Sequence, residues 1–127
     1  MASGFGGRRR EARTVRRGEL WFVELPHKGG REQTGRRPVA IVQRDSDETR
    51  SSLVIIVPLS SQLDALRFPG CVQIEPTPQN GLSVTSVALG FQITAVDRVR
   101  FRSYLGTLDE SDLQKIDDAL KQLLGYL

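Results

Sequence analysis

The stretch "LVIIVPLS", residues 53–60, does most to define the fold, because it is almost wholly apolar and rich in β-branched residues. A run this short is typical of a strand, whereas a buried helix needs at least about 10 residues. Valine and isoleucine also favour extended backbone. Since apolar side chains occupy both odd and even positions, the strand is predicted to be buried on both faces.

Similar short segments flank this strand on both sides. Before it come "ELWFVEL" (19–25) and "PVAIVQ" (38–43), the second of which begins with a proline, a position where strands tolerate it. After it come "GCVQIEP" (70–76), which alternates like a half-exposed strand, and the more apolar "SVALGFQI" (86–93). Asn-Gly turn chemistry in 77–83 separates these last two.

The C-terminal segment "TLDESDLQKIDDALKQLLG" (107–125) is the clearest helix. Thr107 and Glu110 have the spacing of a capping box, acidic residues fill the first turn, and Gly125 supplies a stop signal. The predicted apolar face consists of Leu113, Ile116, Leu120, Leu123 and Leu124.

Two interpretations stay open for residues 96–101. They form either a short helix or a strand, and the strand would place three arginines on one face: Arg98, Arg100 and Arg102. With five or more short strands and one helix, the fold class is a β-rich α+β domain, a small curled sheet or barrel carrying a C-terminal helix.

The chain has 127 residues, which suits one domain. We expect a folded domain at 15–127 and a disordered basic tail at 1–14. Residues 1–17 hold six arginines and one glutamate, a net charge of +5, so the net +3 of the whole chain leaves −2 for the remainder. The tail could contact nucleic acid or act as a solubilising extension. We expect a cytoplasmic protein, because there is one cysteine, no apolar run of membrane-spanning length and no apolar segment behind the N-terminal charges.

Several chemistries lack the residues that they need. One histidine, His27, and one cysteine, Cys71, cannot form an ordinary zinc site, and neither common glycine-rich phosphate motif is present. The sequence therefore predicts neither a metal nor a cofactor. Cys71 is interpreted as a packing residue, because no nearby residue would lower its pKa.

The loop and strand "GGREQTGRRPVAIVQ" (29–43) surround Glu32 with three cations, Arg31, Arg36 and Arg37. Such a loop could be a solvated turn, a phosphate-binding surface or an active site. Arginine can grip a phosphodiester, and a carboxylate can take a proton from the 2′-hydroxyl of RNA. That reaction would give a 2′,3′-cyclic phosphate and a 5′-hydroxyl without a metal. Arg37 suits the phosphate role better than Arg36, because Pro38 restricts its backbone.

The stretch "RRGELWFVELPHKGGREQTGRRPVAIVQ" resembles the opening of the MazF/PemK toxins, with their R-G-[DE] start and their G-x-E-Q-x-G-x-R-P-V signature. "LVIIVPLSSQ" is similar to the family's apolar strand with its hydroxyl-rich end. "TSVALGFQITAVDRVRF" is similar to its later Q-I segment, and 107–125 resembles its C-terminal helix. The resemblance covers about residues 15–127, in order.

The resemblance implies a small SH3-like β-barrel of the CcdB/MazF type that acts as a homodimer. It implies a sequence-specific, ribosome-independent and metal-independent endoribonuclease toxin that cleaves single-stranded mRNA and binds a MazE-like antitoxin. Neither DNA on its own nor a membrane is an expected partner. The catalytic residues carried over are Glu32 as base, Arg37 as phosphorane-stabilising or acid residue, and Ser60, which stands where threonine is usual. The expected RNA contacts are Lys28, Arg31, Gln33, Arg36, Ser61, Gln62 and Gln92.

Two positions depart from the family pattern. Phe91 stands where many members have an acid before Q-I, and Arg31 stands where serine or histidine is common before E-Q. Phe91 suggests an alternative, a noncatalytic RNA- or antitoxin-binding module. A gyrase-targeting toxin of the CcdB kind is a further alternative, which the E-Q…R-P loop argues against.

Overall fold

The computed structural model describes residues 14–27, 29–30, 32, 34–45 and 52–126. The predicted disorder of residues 1–14 therefore falls, except for Thr14, outside the described residues. Most of the turn-rich link 45–51 also lies outside them. Among the described residues, no helix is long and apolar enough to cross a membrane.

Seven antiparallel strands and one α-helix make up the described fold. Their bounds are β1 Glu19–Leu25, β2 Gly35–Ile41, β3 Leu53–Ser60, β4 Cys71–Ile74, β5 Ser86–Leu89, β6 Thr94–Asp97, β7 Phe101–Thr107 and α1 Glu110–Leu124, with 3-10 turns at Leu63–Arg67, Gly90–Gln92 and Arg98–Arg100. The strand order is β4-β5-β3-β2-β1-β7, and β6 also pairs with β3. The predicted β-rich α+β fold with a C-terminal helix is confirmed, and the described pairings form an open path rather than a closed ring.

The central strand β3 divides its pairing between two neighbours. Its first half, Leu53–Ile56, pairs with β6, and its end, at Leu59 and Ser60, pairs with β5. The prediction of burial on both faces holds for most of the strand. Leu53 and Ile55, in its first half, are exposed.

Side-chain alternation along the strands creates a hydrophobic core on each side of the sheet. One core contains Leu20 and Leu59 and is covered by Ile116 and Leu120 of α1. The other surrounds Trp21, whose ring packs edge-on against the rings of two residues of β7, Phe101 and Tyr104.

Two predicted segments differ from the observed strands. The predicted strand 86–93 ends at Leu89, because Gly90 approaches the backbone of Gly70 so closely that a Cβ there would lie 2.3 Å from the Gly70 oxygen. Of the two alternatives for residues 96–101, the short helix is the nearer one, because Arg98–Arg100 form a single 3-10 turn between two strands. β6 ends at Asp97, whose side chain accepts from the backbone N–H of Val99 and caps a 3-10 turn before β7.

The helix α1 ends where the sequence predicts, but it begins at Glu110 and has a different cap from the predicted one. Asp109, rather than Thr107, is the N-cap residue, and its side chain accepts a hydrogen bond of 2.8 Å from the Asp112 backbone N–H. Gly125 ends the helix with a φ of 81°, as its stop signal predicts. Ile116 and Leu120 are buried, whereas Leu124 is exposed at the last turn.

The R-G-E segment, Arg17 to Glu19, is a structural joint. The Arg17 guanidinium donates to the Val42 carbonyl and to the carboxylate of Asp117 in α1. Glu19 is buried, and its Oε1 accepts from the Arg16 backbone N–H and from Trp21 Nε1, each at 3.0 Å. This motif therefore joins the start of β1 to the helix, away from the Glu32 loop.

Candidate functional site

Glu32 lines a groove on the surface of the described part of the chain. The groove has a volume of about 510 Å³. Its lining residues are Leu25, Pro26, Glu32, Pro58, Phe91, Gln92, Ile93, Thr94, Ala95 and Val96. A cleft of this volume with few polar groups on apolar walls has the character of a ligand-binding site.

The Glu32 carboxylate folds back over Gly30. A Cβ at position 30 would lie 2.5 Å from Glu32 Oε1, so only glycine leaves this space to the carboxylate. Glu32 is exposed, which leaves its oxygens within reach of a ligand in the groove.

The register of β2 and β3 brings Arg37 and Ser60 together. The β2–β3 ladder ends at the pair Val39 and Pro58, and Arg37 and Ser60 each lie two residues beyond that pair, where both line one groove. Pro58, at the end of the ladder, lines the Glu32 groove. The sheet therefore aligns two sequence-distant candidates at the end of one strand pair.

Local hydrogen bonds hold both side chains. Arg37 Nε donates to the Thr34 carbonyl at 2.9 Å, which leaves its Nη groups to face solvent or a ligand. Ser60 Oγ accepts from the Gln62 backbone N–H at 3.0 Å, which orients the hydroxyl oxygen and leaves its proton for donation.

Arg37 and Ser60 also border a second groove of about 220 Å³. The remaining lining residues are Phe22, Pro38, Leu59, Ser61, Gly81, Leu82, Ser83, Val84, Ser86 and Leu105. Because Pro58 and Ser60 are two residues apart on β3 and line one groove each, the two grooves approach each other there. Glu32 and Arg37 thus lie in adjoining grooves, and no ion pair joins these two residues in the described part of the chain.

Arg36 lies on the opposite face of β2 from Arg37. Its register partner is Glu24, and its guanidinium carbon is 5.9 Å from the centre of the Phe22 ring. Phe22 lines the smaller groove, so Arg36 adds positive charge beside that groove rather than beside Glu32.

The other predicted RNA contacts fall into three groups. Gln92 lines the Glu32 groove. Ser61 and Gln62 are exposed directly after Ser60. Three residues lie outside the described part of the chain: Lys28, Arg31 and Gln33.

Two aromatic side chains beside the groove were not among the predicted site residues. Phe91 lines the groove, and its ring packs against that of Phe68, with ring centres 5.7 Å apart. The guanidinium of Arg67 lies 5.0 Å from the centre of the Phe68 ring. The only sequence signal was Phe91 itself, which stands where an acid is common, and nothing in the sequence linked it to Phe68.

Cys71 is not among the residues that line the Glu32 groove. Burial raises the pKa of the Cys71 thiol, so this residue is a poor nucleophile and agrees with the interpretation as a packing residue. Within the described ranges, no three or more His, Cys, Asp or Glu side chains come together in the manner of a metal site.

The strand order, the C-terminal helix and the overall shape place the chain among proteins with the MazF fold. It superposes on MazF (Form-I) from Deinococcus radiodurans with a TM-score of 0.72 and 26% identity, covering 87% of this chain and 96% of that one. An endoribonuclease in complex with its cognate antitoxin from Mycobacterial species has the same fold, with a TM-score of 0.66, 21% identity and coverage of 89% and 95%.

Sequence comparison defines the family. Residues 16–124 match the model of the PemK-like, MazF-like toxins of type II toxin–antitoxin systems. Endoribonuclease EndoA of Bacillus subtilis (strain 168) is 32% identical over 113 residues, which cover 89% of this chain and 97% of EndoA. The chain therefore belongs to the PemK-like, MazF-like toxin family, as its sequence resemblance predicted.

Proposed function

We propose that this toxin is a sequence-specific, ribosome-independent endoribonuclease that cleaves single-stranded mRNA without a metal ion. The observation that carries the proposal is a carboxylate, Glu32, in a groove that approaches the one bordered by Arg37 and Ser60. Membership of the toxin family and the endoribonuclease name of the similar EndoA support the substrate class.

Each of the three residues has a distinct role in this reaction. Glu32 takes the proton of the 2′-hydroxyl as its oxygen bonds to phosphorus. Arg37 stabilises the negative charge on the pentacoordinate phosphorus or protonates the 5′ oxygen as its bond breaks, and Ser60 donates a hydrogen bond to the phosphate. The products are a 2′,3′-cyclic phosphate and a 5′-hydroxyl.

The test is cleavage of a long natural RNA by the purified chain in EDTA, with chemical mapping of the new ends. The wild type is expected to give cyclic phosphate ends, and Glu32→Gln is expected to lower the rate about 10²- to 10⁴-fold, as loss of a general base does. Arg37→Gln should lower it similarly, since it loses a charge-stabilising donor. The matched controls are Glu110→Gln and Arg102→Gln, both at exposed positions away from the grooves. No cleavage by a wild type that still binds RNA would favour a noncatalytic module instead.

The second part of the proposal is a protein partner, a MazE-like antitoxin. The family is defined by toxin–antitoxin pairs, and a structure with this fold holds an endoribonuclease with its cognate antitoxin. An acidic antitoxin segment would fit the cationic Arg36 beside the smaller groove. Co-purification with the product of an adjacent gene, and relief of RNA cleavage by that product, would support this part. An adjacent product that neither binds nor inhibits would oppose it.

We further propose a cytoplasmic homodimer, because the substrate is mRNA and the resemblance implies two-fold assembly. Sedimentation at micromolar concentration is expected to give twice the chain mass of 14.1 kDa. A species of single-chain mass under these conditions would contradict the homodimer.

A further inference from the structure

Phe91 is an exposed aromatic residue in the groove that Glu32 also lines. It is 46% exposed, and it lines the same groove as Glu32, Gln92 and Thr94. An exposed aromatic ring beside hydrogen-bonding groups can stack on a flat ligand whose edges are polar. A nucleobase has both features.

Phe91 is one part of a larger aromatic platform, which consists of Arg67, Phe68 and Phe91. Phe68 is 44% exposed, and the two rings are tilted by 49° with their centres 5.7 Å apart. The Arg67 guanidinium lies over Phe68. Its ion pair with Asp64 is long, at 3.9 Å, and exposed, so it contributes little and leaves Arg67 free to contact a phosphate.

A close backbone contact joins the two segments that carry the platform. Gly90 donates from its N–H to the Gly70 carbonyl at 2.9 Å, and a Cβ on Gly90 would collide with that oxygen. Phe91 follows Gly90 directly, and Phe68 precedes Gly70 by two residues. The same contact therefore positions both rings, which lowers the entropy that a stacked base must lose to bind.

We propose that the aromatic platform stacks a nucleobase of single-stranded RNA next to the bond that is cleaved at Glu32, while Arg67 contacts the adjoining phosphate. This inference rests on the proposed function and adds a subsite to it. Because every base has a π-face, the platform contributes affinity rather than sequence choice. The phenylalanine at position 91 is then a binding residue that replaces an acid, and it does not indicate a lost activity.

The test uses a mixed-sequence single-stranded RNA with 2′-O-methyl groups, which cannot be cleaved, and with 2-aminopurine, whose fluorescence falls on stacking. Wild type is expected to quench the fluorescence. Phe91→Leu keeps an apolar side chain but loses the ring, so it should abolish quenching and raise the Kd roughly 5- to 100-fold. Phe91→Tyr should restore both. The matched control is Tyr126→Leu, an exposed aromatic residue beyond α1 that should change neither.

The outcomes separate this inference from the proposed function. Quenching by wild type without cleavage of natural RNA would contradict the ribonuclease and keep the platform. Cleavage of natural RNA with equal Kd for wild type and Phe91→Leu would overturn the platform and keep the ribonuclease. If wild type does not quench the fluorescence and Phe91→Leu changes the sedimentation mass, this surface binds a second copy of the chain, and the platform proposal is also overturned. Should Phe91→Leu fail to fold, Phe68→Leu provides the same readout, with a smaller expected loss.

Discussion

Replacing Arg17 with methionine tests whether the R-G-E segment acts as a structural joint. The substitution keeps most of the apolar stem of the side chain and removes its guanidinium. Two interactions are lost, the hydrogen bond of 2.5 Å to the Val42 carbonyl and the ion pair with Asp117 of α1. Only about a quarter of each side chain of that ion pair is exposed, at 27% and 24%, so water replaces these contacts poorly.

The expected loss follows from the two contacts. A hydrogen bond from a charged donor contributes about 1.5–3 kcal/mol, and a partly exposed ion pair adds up to about 1 kcal/mol. Arg17→Met should therefore lower the free energy of unfolding by roughly 2–4 kcal/mol. For a domain of this size, that corresponds to a fall in Tm on the order of 10 °C.

Calorimetry or circular dichroism on the purified variants measures this change. The matched control is Lys115→Met, which breaks an exposed ion pair with Asp112 at 4.0 Å and should change stability by no more than about 0.5 kcal/mol. RNA cleavage at a temperature where both variants are folded should match that of wild type, since Arg17 lies away from both grooves. Equal Tm values for the two variants would refute the role of Arg17 as a joint.

Three further predictions concern glycines and a buried amide. Gly30→Ala should lower the rate of RNA cleavage several-fold without lowering Tm, because the new Cβ displaces the Glu32 carboxylate while position 30 itself is exposed; an unchanged rate would contradict this. Gly106→Ala should lower the free energy of unfolding by about 1–3 kcal/mol or more, because the new Cβ would lie 2.4 Å from the Gln79 carbonyl oxygen and 2.5 Å from the Asn80 carbonyl carbon. A urea unfolding curve identical to that of wild type would contradict this prediction. Asn80→Ala should lower the free energy of unfolding by roughly 2–4 kcal/mol in the same urea assay. The buried Asn80 amide accepts from the backbone N–H groups of Thr77 and Leu82 and donates to the Glu75 carbonyl, and all three hydrogen bonds would be lost. A loss below about 1 kcal/mol would show that water replaces these hydrogen bonds.

Local patterns in the sequence account for most of the strands and for the helix. Apolar periodicity identifies β3 and α1, because these elements bury contiguous or regularly spaced side chains. Apolar periodicity does not predict where a strand ends when a contact with a distant part of the chain ends it. The break after Leu89 depends on Gly70, about twenty residues away in the chain, and periodicity within one segment contains no information about such a contact.

Some features of the candidate site likewise follow from local sequence, whereas others depend on the tertiary structure. The E-Q…R-P motif identifies Glu32 and Arg37, and the hydroxyl-rich end of β3 identifies Ser60, because the motif residues lie close together in the chain or next to a recognisable strand. Their mutual placement depends on strand register, which a one-residue slip would reverse. Pro38 already favours Arg37 over Arg36 in the sequence, and the structure adds that Arg37 lines a groove with Ser60 whereas Arg36 lies over Phe22.

The sequence alone determined the fold class, the family and the three candidate catalytic residues, since each depends on short-range patterns or on an ordered set of motifs. The tertiary structure set Arg37 beside Ser60 and Arg36 over Phe22, made the R-G-E segment a joint between sheet and helix, and brought Phe91 against Phe68 at the groove that Glu32 lines. These features depend on contacts between residues far apart in the chain, and their geometry is set by the sheet register and by the close approach of Gly90 to Gly70.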